Sequence, residues 1–136
     1  MARISPYLRF SGNCREAMEF YKKCLGAEIQ IMTVGESPGA NQMPPKMKSL
    51  VMHSMIEKDS LIVMASDFME QEKVIKGNTV SLSITGGSKE EIGKYFSNLS
   101  EGGKITHPFT HEFFGWYGDL TDKFGIDWMF QADNPK

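Results

Sequence analysis

The sequence predicts an α+β fold made of two copies of one βαβββ module. The first observation is periodicity, because an alternating strand, a helix and three more strands occur in that order twice. The second is an internal repeat, since a shift of 74 residues, from Leu8 to Leu82, superposes the copies. The third is size, because 136 residues with 40% hydrophobic content suffice to bury one core. We therefore predict a single domain, 1-136, with modules at about 4-66 and 78-131.

The first module begins with "ISPYLRF", whose side chains alternate as in a strand. The next stretch, "SGNCREAMEFYKKCLG", has apolar residues at helical spacing and ends at Gly26, a residue that commonly terminates helices. "EIQIMTV" and "LVMHSMIEKDSLIVMAS" supply three strands, the last two joined by a polar turn. The loop between them, 35–48, is rich in glycine and proline, and it is either a mobile lid over a cleft or a solvated surface loop.

The second module repeats this order from "NTVSLSI" onward. Its helix, "SKEEIGKYFSNL", begins at Ser88, with Glu91 three residues later as in a capping box. Strands are predicted near 104–109, 113–121 and 125–131. The matched pairs are Leu8 with Leu82, Phe10 with Ile84, Gly12 with Gly86, Glu16 with Glu90, Met18 with Ile92, Tyr21 with Tyr95 and Leu25 with Leu99. In the closing hairpin, the turn of the second module is predicted to be one residue longer than that of the first. With this change of offset, Met64 matches Met129.

Composition excludes several classes of partner. The net charge is −2 with basic residues scattered along the chain, so no nucleic acid is expected. No apolar run approaches the roughly 18 residues that span a bilayer and no signal peptide precedes the first strand, so we expect a cytoplasmic protein with no membrane contact. Cys14 and Cys24 lie ten residues apart on one predicted helix, about 15 Å, which is too far for a disulfide.

Strand alternation separates the side chains that face a helix from those that face a ligand. Tyr7 and Arg9 share the polar face of the first strand. Trp116 and Tyr117 are neighbours and so point to opposite faces; either ring can stack on a planar or cationic ligand, with Asp119 or Asp127 balancing its charge. A lone histidine on an apolar strand, such as His53, is more often a core or interface residue, but one that faces the ligand can accept a proton.

The stretches "PYLRFSGNCREAMEFYKKCLGAEI" and "YGDLTDKFGIDWMF" resemble the vicinal oxygen chelate superfamily, which includes glyoxalases, bleomycin-resistance proteins and dioxygenases. Within that superfamily the chain looks most like the PhnB-like branch. The resemblance implies that the two modules form a curved, cup-like mixed sheet with helices outside. It also implies a homodimer that binds a small molecule in the cup.

Metal-dependent members of this superfamily take ligands from the first, fourth, fifth and eighth strands. Carried onto this chain, those positions fall near Ser5, Met64, Thr79 and Met129. None is a good ligand for zinc, iron, nickel or manganese, so we expect no metal. Families resembling this one have carried a ubiquinone methyltransferase label, but the glycine-rich turn and alternating strands and helices of a typical methyl-donor site are missing. We expect no cofactor.

Our leading hypothesis is a small organic molecule bound in a metal-free cup, with Arg9 holding an anionic group. The predicted ligand-binding residues are Tyr7, Arg9, His53, Met64, Ser66, Trp116, Tyr117, Asp127 and Met129. The first alternative is a glyoxalase-type or dioxygenase-type enzyme that uses a divalent metal. The second is a resistance protein that sequesters a drug or metabolite unaltered. The third is a dimer with no ligand, in which Arg9 pairs with Asp127.

Overall fold

The computed structural model describes residues 1–68 and 74–134. It divides the chain into two compact units, unit 1 (Met1–Ile75) and unit 2 (Lys76–Lys136). Each unit holds one helix and a four-stranded mixed sheet, and neither sheet closes on itself. The predicted α+β class and the duplicated βαβββ order are confirmed. The predicted connector between the modules, 67–77, lies partly outside the described residues.

Unit 1 follows the order read from the sequence. Its elements are β1 (Tyr7–Phe10), α1 (Cys14–Leu25), β2 (Glu28–Thr33), β3 (Val51–Lys58) and β4 (Leu61–Asp67). The strands lie in the order β1-β4-β3-β2, and only β1 and β4 are parallel. Strand β1 begins at Tyr7, three residues after the predicted start at Ile4, because Pro6 has no N–H to donate to a ladder. Helix α1 ends at Gly26, whose left-handed φ of 65° suits glycine.

Unit 2 repeats this arrangement. Its elements are β5 (Leu82–Thr85), α2 (Lys89–Leu99), β6 (Lys104–Glu112), β7 (Gly115–Thr121) and β8 (Asp127–Ala132). The order is β5-β8-β7-β6, again with the first and last strands parallel. Strand β5 begins four residues after the predicted start at Asn78, since pairing begins at Leu82 opposite Trp128. Of the described helices, neither is long and apolar enough to cross a membrane.

Each helix covers one face of the sheet in its own unit. The buried face of α1 consists of Cys14, Ala17, Met18, Tyr21, Cys24 and Leu25, and that of α2 of Ile92, Tyr95, Phe96 and Leu99. The sheet residues that meet these faces are also buried, as with Val63 and Ala65 on β4 and Trp128 and Phe130 on β8. The odd and even positions of β4 and β8 therefore have different environments, and the opposite, helix-free faces carry the candidate site residues other than Trp116.

The predicted match of Met64 with Met129 is wrong. Leu8 lies opposite Ala65, and its repeat mate Leu82 lies opposite Trp128, so Met64 corresponds to Asp127. The prediction assumed a second turn one residue longer, whereas two residues join β3 and β4 and five, 122–126, join β7 and β8. Backbone pairing fixes the register, and an offset read from side-chain similarity misses it.

The loop 34–50 is tied together at its ends. Val34 N–H donates to Leu50 O at 2.9 Å, and Gly35 N–H donates to Lys48 O at 2.8 Å. Between them lie three short 3-10 turns, Val34–Glu36, Ala40–Gln42 and Pro45–Met47. The loop thus has local structure of its own, and a lid function stays a prediction.

Candidate functional site

The first group of predicted site residues lies on the face of unit 1's sheet that does not carry α1. We call this set, Tyr7, Arg9, His53, Met64 and Ser66, the first helix-free face. Ladder pairing sets Tyr7 beside Met64 and Arg9 beside Ser66. Phe10, Val63 and Ala65, on the other side of the same strands, are buried. The alternation predicted for β1 and β4 is confirmed, and it brings five of the nine predicted residues onto one surface.

Tyr7 and His53 form a hydrogen-bonded pair on this face. Tyr7 Oη lies 3.2 Å from His53 Nδ1, and the two ring centroids are 5.8 Å apart. The tautomer of the imidazole decides which atom donates. The residues are 46 apart in sequence, so only the sheet, which places β1 and β3 on either side of β4, brings them together.

Arg9 supplies the positive charge of the first helix-free face. Its guanidinium carbon lies 5.5 Å from the centroid of the Phe68 ring, a distance at which a cation–π attraction operates. Within the described part of unit 1 no carboxylate lies at ion-pair distance from Arg9. A guanidinium with an aromatic support and no acidic partner is suited to binding a carboxylate or another anion.

The second group lies on the face of unit 2's sheet that does not carry α2. A pocket of about 310 Å³ opens there. Its lining residues are Asn78, Ser81, Thr106, Tyr117, Asp119, Leu120, Thr121, Asp127, Trp128 and Met129. Ladder pairing sets Asp119 beside Met129 and Thr121 beside Asp127. Tyr117, Asp127 and Met129, all predicted from alternation, therefore share one pocket.

Hydroxyl groups donate to both carboxylates of this pocket. Tyr117 Oη donates to Asp119 Oδ2 at 2.7 Å, and Thr106 Oγ1 donates to Asp119 Oδ1. Thr121 Oγ1 donates to Asp127 Oδ1 at 2.6 Å. Burial, followed by the hydrogen bond to Asp119 and its negative charge, raises the pKa of Tyr117 to about 12. Tyr117 is therefore a neutral hydrogen-bond donor at physiological pH.

Sequence reasoning missed Asn78, Thr106 and Thr121 as pocket residues. The parity of β6 cannot be read from the sequence, because its pairing with β7 is irregular on both sides of His107. Asn78 lies outside the strands, and Thr121 is the last residue of β7. None of the ten lining residues is basic, so the pocket carries two acidic groups and no cation.

Trp116 lies on the opposite face from Tyr117, as alternation requires. Lys89 Nζ, at the start of α2, lies 4.0 Å from the centroid of the indole. His111 and Phe109 on β6 also contact the ring, at centroid distances of 5.3 and 5.7 Å. The structure therefore places Trp116 in a helix-side cluster and not beside the other predicted residues of unit 2.

The two cysteines do not belong to either face. Both are buried and neither forms a disulfide, as the spacing predicted. Burial raises the pKa of Cys14 to about 11, against a weaker opposing effect of the hydrogen bond with Ser54 at 3.5 Å. A protonated, buried thiol is a poor nucleophile, so Cys14 acts as a packing residue.

The superfamily's metal positions do not fit a divalent metal in this chain. With the register observed, they correspond to Ser5, Met64, Thr79 and Asp127, of which only Asp127 is a carboxylate. Across 1–68 and 74–134, no three His, Cys, Asp or Glu side chains come together as a metal-binding group. We therefore derive no chemistry through a metal of this kind.

The β1–α1 turn does not fit a methyl-donor cofactor either. The β1–α1 turn, where a glycine-rich turn would cradle such a group, has its backbone donors occupied. Asp67 Oδ1 accepts from Gly12 N–H at 2.9 Å and from Cys14 N–H at 3.0 Å. The carboxylate thus fills the position that an anionic group would take at the start of α1.

Known proteins resemble this chain over nearly all of its length. A family model described as 3-demethylubiquinone-9 3-methyltransferase matches residues 2–131. Protein YjdN of Escherichia coli (strain K12) is 32% identical over 139 residues, which cover 95% of this chain and 94% of that protein. The crystal structure of protein PA1353 from Pseudomonas aeruginosa superposes with a TM-score of 0.86 and 34% identity, covering 99% of this chain and 100% of that one.

Two further structures connect this chain to named proteins. A putative 3-demethylubiquinone-9 3-methyltransferase, PhnB protein, from Bacillus cereus has a TM-score of 0.77 and 27% identity, with 96% of this chain and 99% of that chain covered. A glyoxylase/bleomycin resistance protein/dioxygenase domain from Frankia sp. EAN1pec has a TM-score of 0.68 over 98% and 93% of the two chains. At 13% identity, that likeness shows the fold alone. The chain therefore belongs to the PhnB-like family, whose model carries the 3-demethylubiquinone-9 3-methyltransferase description, and has the vicinal oxygen chelate fold.

Proposed function

We propose that this PhnB-like protein binds a small organic acid on the first helix-free face, as a homodimer and without a divalent metal. Arg9 is the observation that carries the proposal, because its guanidinium lies on a ligand-accessible face with no acidic partner in the described part of unit 1. Tyr7, which is 45% exposed, and Met64 provide aromatic and adaptable apolar surface beside it.

Charge favours unit 1 over unit 2 for an acidic ligand. The five residues of the first helix-free face include one arginine, one histidine and no carboxylate. Glu57 and its ladder partner Glu28 lie on the same side of the sheet, with Glu57 four residues along β3 from His53. The pocket in unit 2 contains Asp119 and Asp127, which repel an anion. That pocket suits a neutral hydroxyl-bearing group or a cation, and its carboxylates already accept protein hydroxyls.

The alternatives differ in what supports them. A divalent-metal enzyme of glyoxalase type fits the fold, but the four superfamily ligand positions offer a single carboxylate. The methyltransferase description of the family finds no support in the β1–α1 turn, where Asp67 occupies the backbone donors. Sequestration of an unaltered drug or metabolite is compatible with acid binding. A ligand-free dimer with an Arg9–Asp127 pair stays a prediction.

Arg9→Ala tests the proposal with 2-naphthoate, a fluorescent aromatic acid, as the probe. We expect binding to weaken tenfold or more, because a hydrogen bond to a charged group contributes about 1.5–3 kcal/mol. Uncharged 2-naphthamide should bind Arg9→Ala and the native protein equally. Fluorescence titration measures both dissociation constants.

Arg15→Ala is the matched control, since Arg15 lies exposed on α1 and its loss changes the net charge equally. It should leave 2-naphthoate binding unchanged. An equal loss of acid and amide binding in Arg9→Ala would mean that Arg9 only packs, and no binding of the acid to the native protein would refute the proposal.

A further inference from the structure

The helix-free side of unit 1's sheet continues beyond the five residues of the first helix-free face. Residues that pair directly across a ladder, and every second residue along a strand, point to the same side of a sheet. The further members of this side are Glu28, Gln30 and Met32 on β2, Met55 and Glu57 on β3, and Ile62 on β4. The side is therefore basic at the end that holds Arg9, apolar in the middle and acidic at the end that holds Glu28 and Glu57.

Two methionines and a tyrosine form the middle of this side. Met64 on β4 lies directly opposite both Tyr7 on β1 and Met55 on β3, and all three side chains are at least partly exposed. We call these three residues the apolar strip. A thioether is flexible and polarizable and makes favourable contacts with aromatic rings. The apolar strip is therefore suited to a flat aromatic ring lying on the sheet.

Glu28 and Glu57 form the acidic end. They lie directly opposite each other on β2 and β3, and both are exposed. Like charges in this arrangement destabilise a sheet. Across the residues that the structure describes, neither carboxylate has a cation at ion-pair distance. Lys58, the next residue of β3, points to the other side of the sheet, where its Nζ lies close to Gly26. This end therefore presents two negative charges.

The acidic end lies within electrostatic range of a ligand bound by Arg9. Ser66 lies opposite Arg9 and Ile62 lies opposite Glu57, so four residues of β4, about 13 Å, separate the two ends. A ligand whose carboxylate binds Arg9 and whose ring lies on the apolar strip directs its far end towards Glu57. Charges act over about 8 Å at physiological ionic strength, so Glu57 influences that far end without contacting it.

We propose that the first helix-free face binds aromatic monocarboxylic acids in preference to aromatic dicarboxylic acids, with Glu28 and Glu57 as the residues that determine this specificity. The inference names the ligand class for the acid binding proposed above and rests on it. Arg9 attracts the carboxylate, the apolar strip contacts the ring, and the two glutamates repel a second anionic group. A neutral far end is accepted, and a cationic far end is attracted.

Three derivatives of 2-naphthoate that differ only in the group at C6 test this specificity. They are 2,6-naphthalenedicarboxylate, its monomethyl ester and 6-(aminomethyl)-2-naphthoate, whose far ends are anionic, neutral and cationic. The ester keeps the size of the diacid without its second charge. We expect the native protein to bind the ester about fivefold more tightly than the diacid, and the amine at least as tightly as the ester. Fluorescence titration measures the dissociation constants.

Glu57→Gln should narrow the difference between diacid and ester, and the double variant Glu28→Gln, Glu57→Gln should remove it. Both variants should fold, because they relieve a repulsion between like charges. In the native protein the difference should also shrink as salt is added, since the Debye length falls from about 30 Å at about 0.01 M to about 3 Å at about 1 M ionic strength. A purely steric effect of the glutamates would not respond to salt.

Glu19→Gln is the matched control, because Glu19 lies exposed on α1, which covers the other side of the sheet, and its loss changes the net charge equally. It should keep the native ratio of the two dissociation constants. An equal change of that ratio in Glu19→Gln and Glu57→Gln would assign the preference to net charge and overturn the role of the glutamate pair.

Binding of 2-naphthoate itself separates the two proposals. Arg9-dependent binding of 2-naphthoate, with the same ratio for diacid and ester in the native protein and in the double variant, would overturn the specificity and leave acid binding intact. Absence of binding of all four acids would overturn both proposals. Tighter binding of the diacid than of the ester to the native protein would also overturn the specificity.

Discussion

At the residue scale, Tyr117 shows how a neighbour changes the chemistry of a side chain. Its phenol donates to Asp119 within the pocket of unit 2, and an ionised phenol there would face that carboxylate. Burial has the larger effect and Asp119 adds to it, so the pKa of Tyr117 rises from 10.0 to about 12. Tyr117 therefore contributes to the free energy of unfolding. This contribution is fully present below pH 10 and is lost as the pH rises through about 12.

Asp119→Asn should lower the pKa of Tyr117 to a value between 10 and 12, because the effect of the charge disappears and that of burial remains. NMR titration of ¹³C-labelled tyrosine measures the change. Asp127→Asn is the control, since Asp127 accepts from Thr121 and not from Tyr117. An unchanged pKa of Tyr117 in Asp119→Asn would contradict the role given to the carboxylate.

At the scale of elements, the two helices start in different ways. In α2 the cap is local, because Ser88 Oγ accepts from Glu91 N–H at 3.1 Å as the sequence predicted. In α1 the N-cap residue Asn13 makes no side-chain cap bond. Asp67, at the end of β4, accepts from the start of α1 instead and also from Val51 N–H at 2.9 Å. One buried carboxylate thus joins α1, β3 and β4.

Three alanine variants distinguish these caps by their free energy of unfolding in urea. Ser88→Ala should cost about 1 kcal/mol, as loss of an N-cap does. Asp67→Ala should cost about 3 kcal/mol or more, because it leaves several buried N–H groups without an acceptor. Asn13→Ala is the control and should stay within about 0.5 kcal/mol. A larger loss in Asn13→Ala than in Ser88→Ala would contradict the assignment of the caps.

At the scale of the whole molecule, the two units differ in charge. Unit 1 has nine acidic and nine basic residues, whereas unit 2 has eight acidic and six basic ones, so unit 2 carries the entire net charge of −2. Coulomb repulsion therefore disfavours anions at unit 2, which supports the proposal of an acidic ligand at unit 1. If substitutions in unit 2 weakened binding of the acid and substitutions in unit 1 did not, this assignment of the acidic ligand to unit 1 would be contradicted.

Native mass spectrometry of freshly purified protein tests the predicted homodimer. We expect a species of twice 15.3 kDa, with any excess mass corresponding to a co-purified organic acid. Elemental analysis of the same sample should find no stoichiometric nickel, zinc, manganese or iron. A monomer would refute the oligomeric state, and a stoichiometric metal would favour the glyoxalase-type enzyme.

Much of the fold follows from local patterns. Alternation placed Tyr7 and Arg9 on one face and separated Trp116 from Tyr117, because side-chain direction in a strand depends on parity alone. Helical spacing gave the buried faces of both helices, and Gly26 ended α1 as predicted. These features depend on neighbours within a few residues, so a single sequence contains them.

The contacts of the candidate site depend on pairing between distant strands. The Tyr7–His53 bond, the Asp67 cap of α1 and the match of Met64 with Asp127 all require the ladder β1-β4-β3 and its counterpart in unit 2. The sequence by itself determined the element order, the helix faces and the parity of the strands, since these arise from local geometry. Only the tertiary structure decided which side chains meet, because strand register and hairpin length are set by backbone pairing across the sheet.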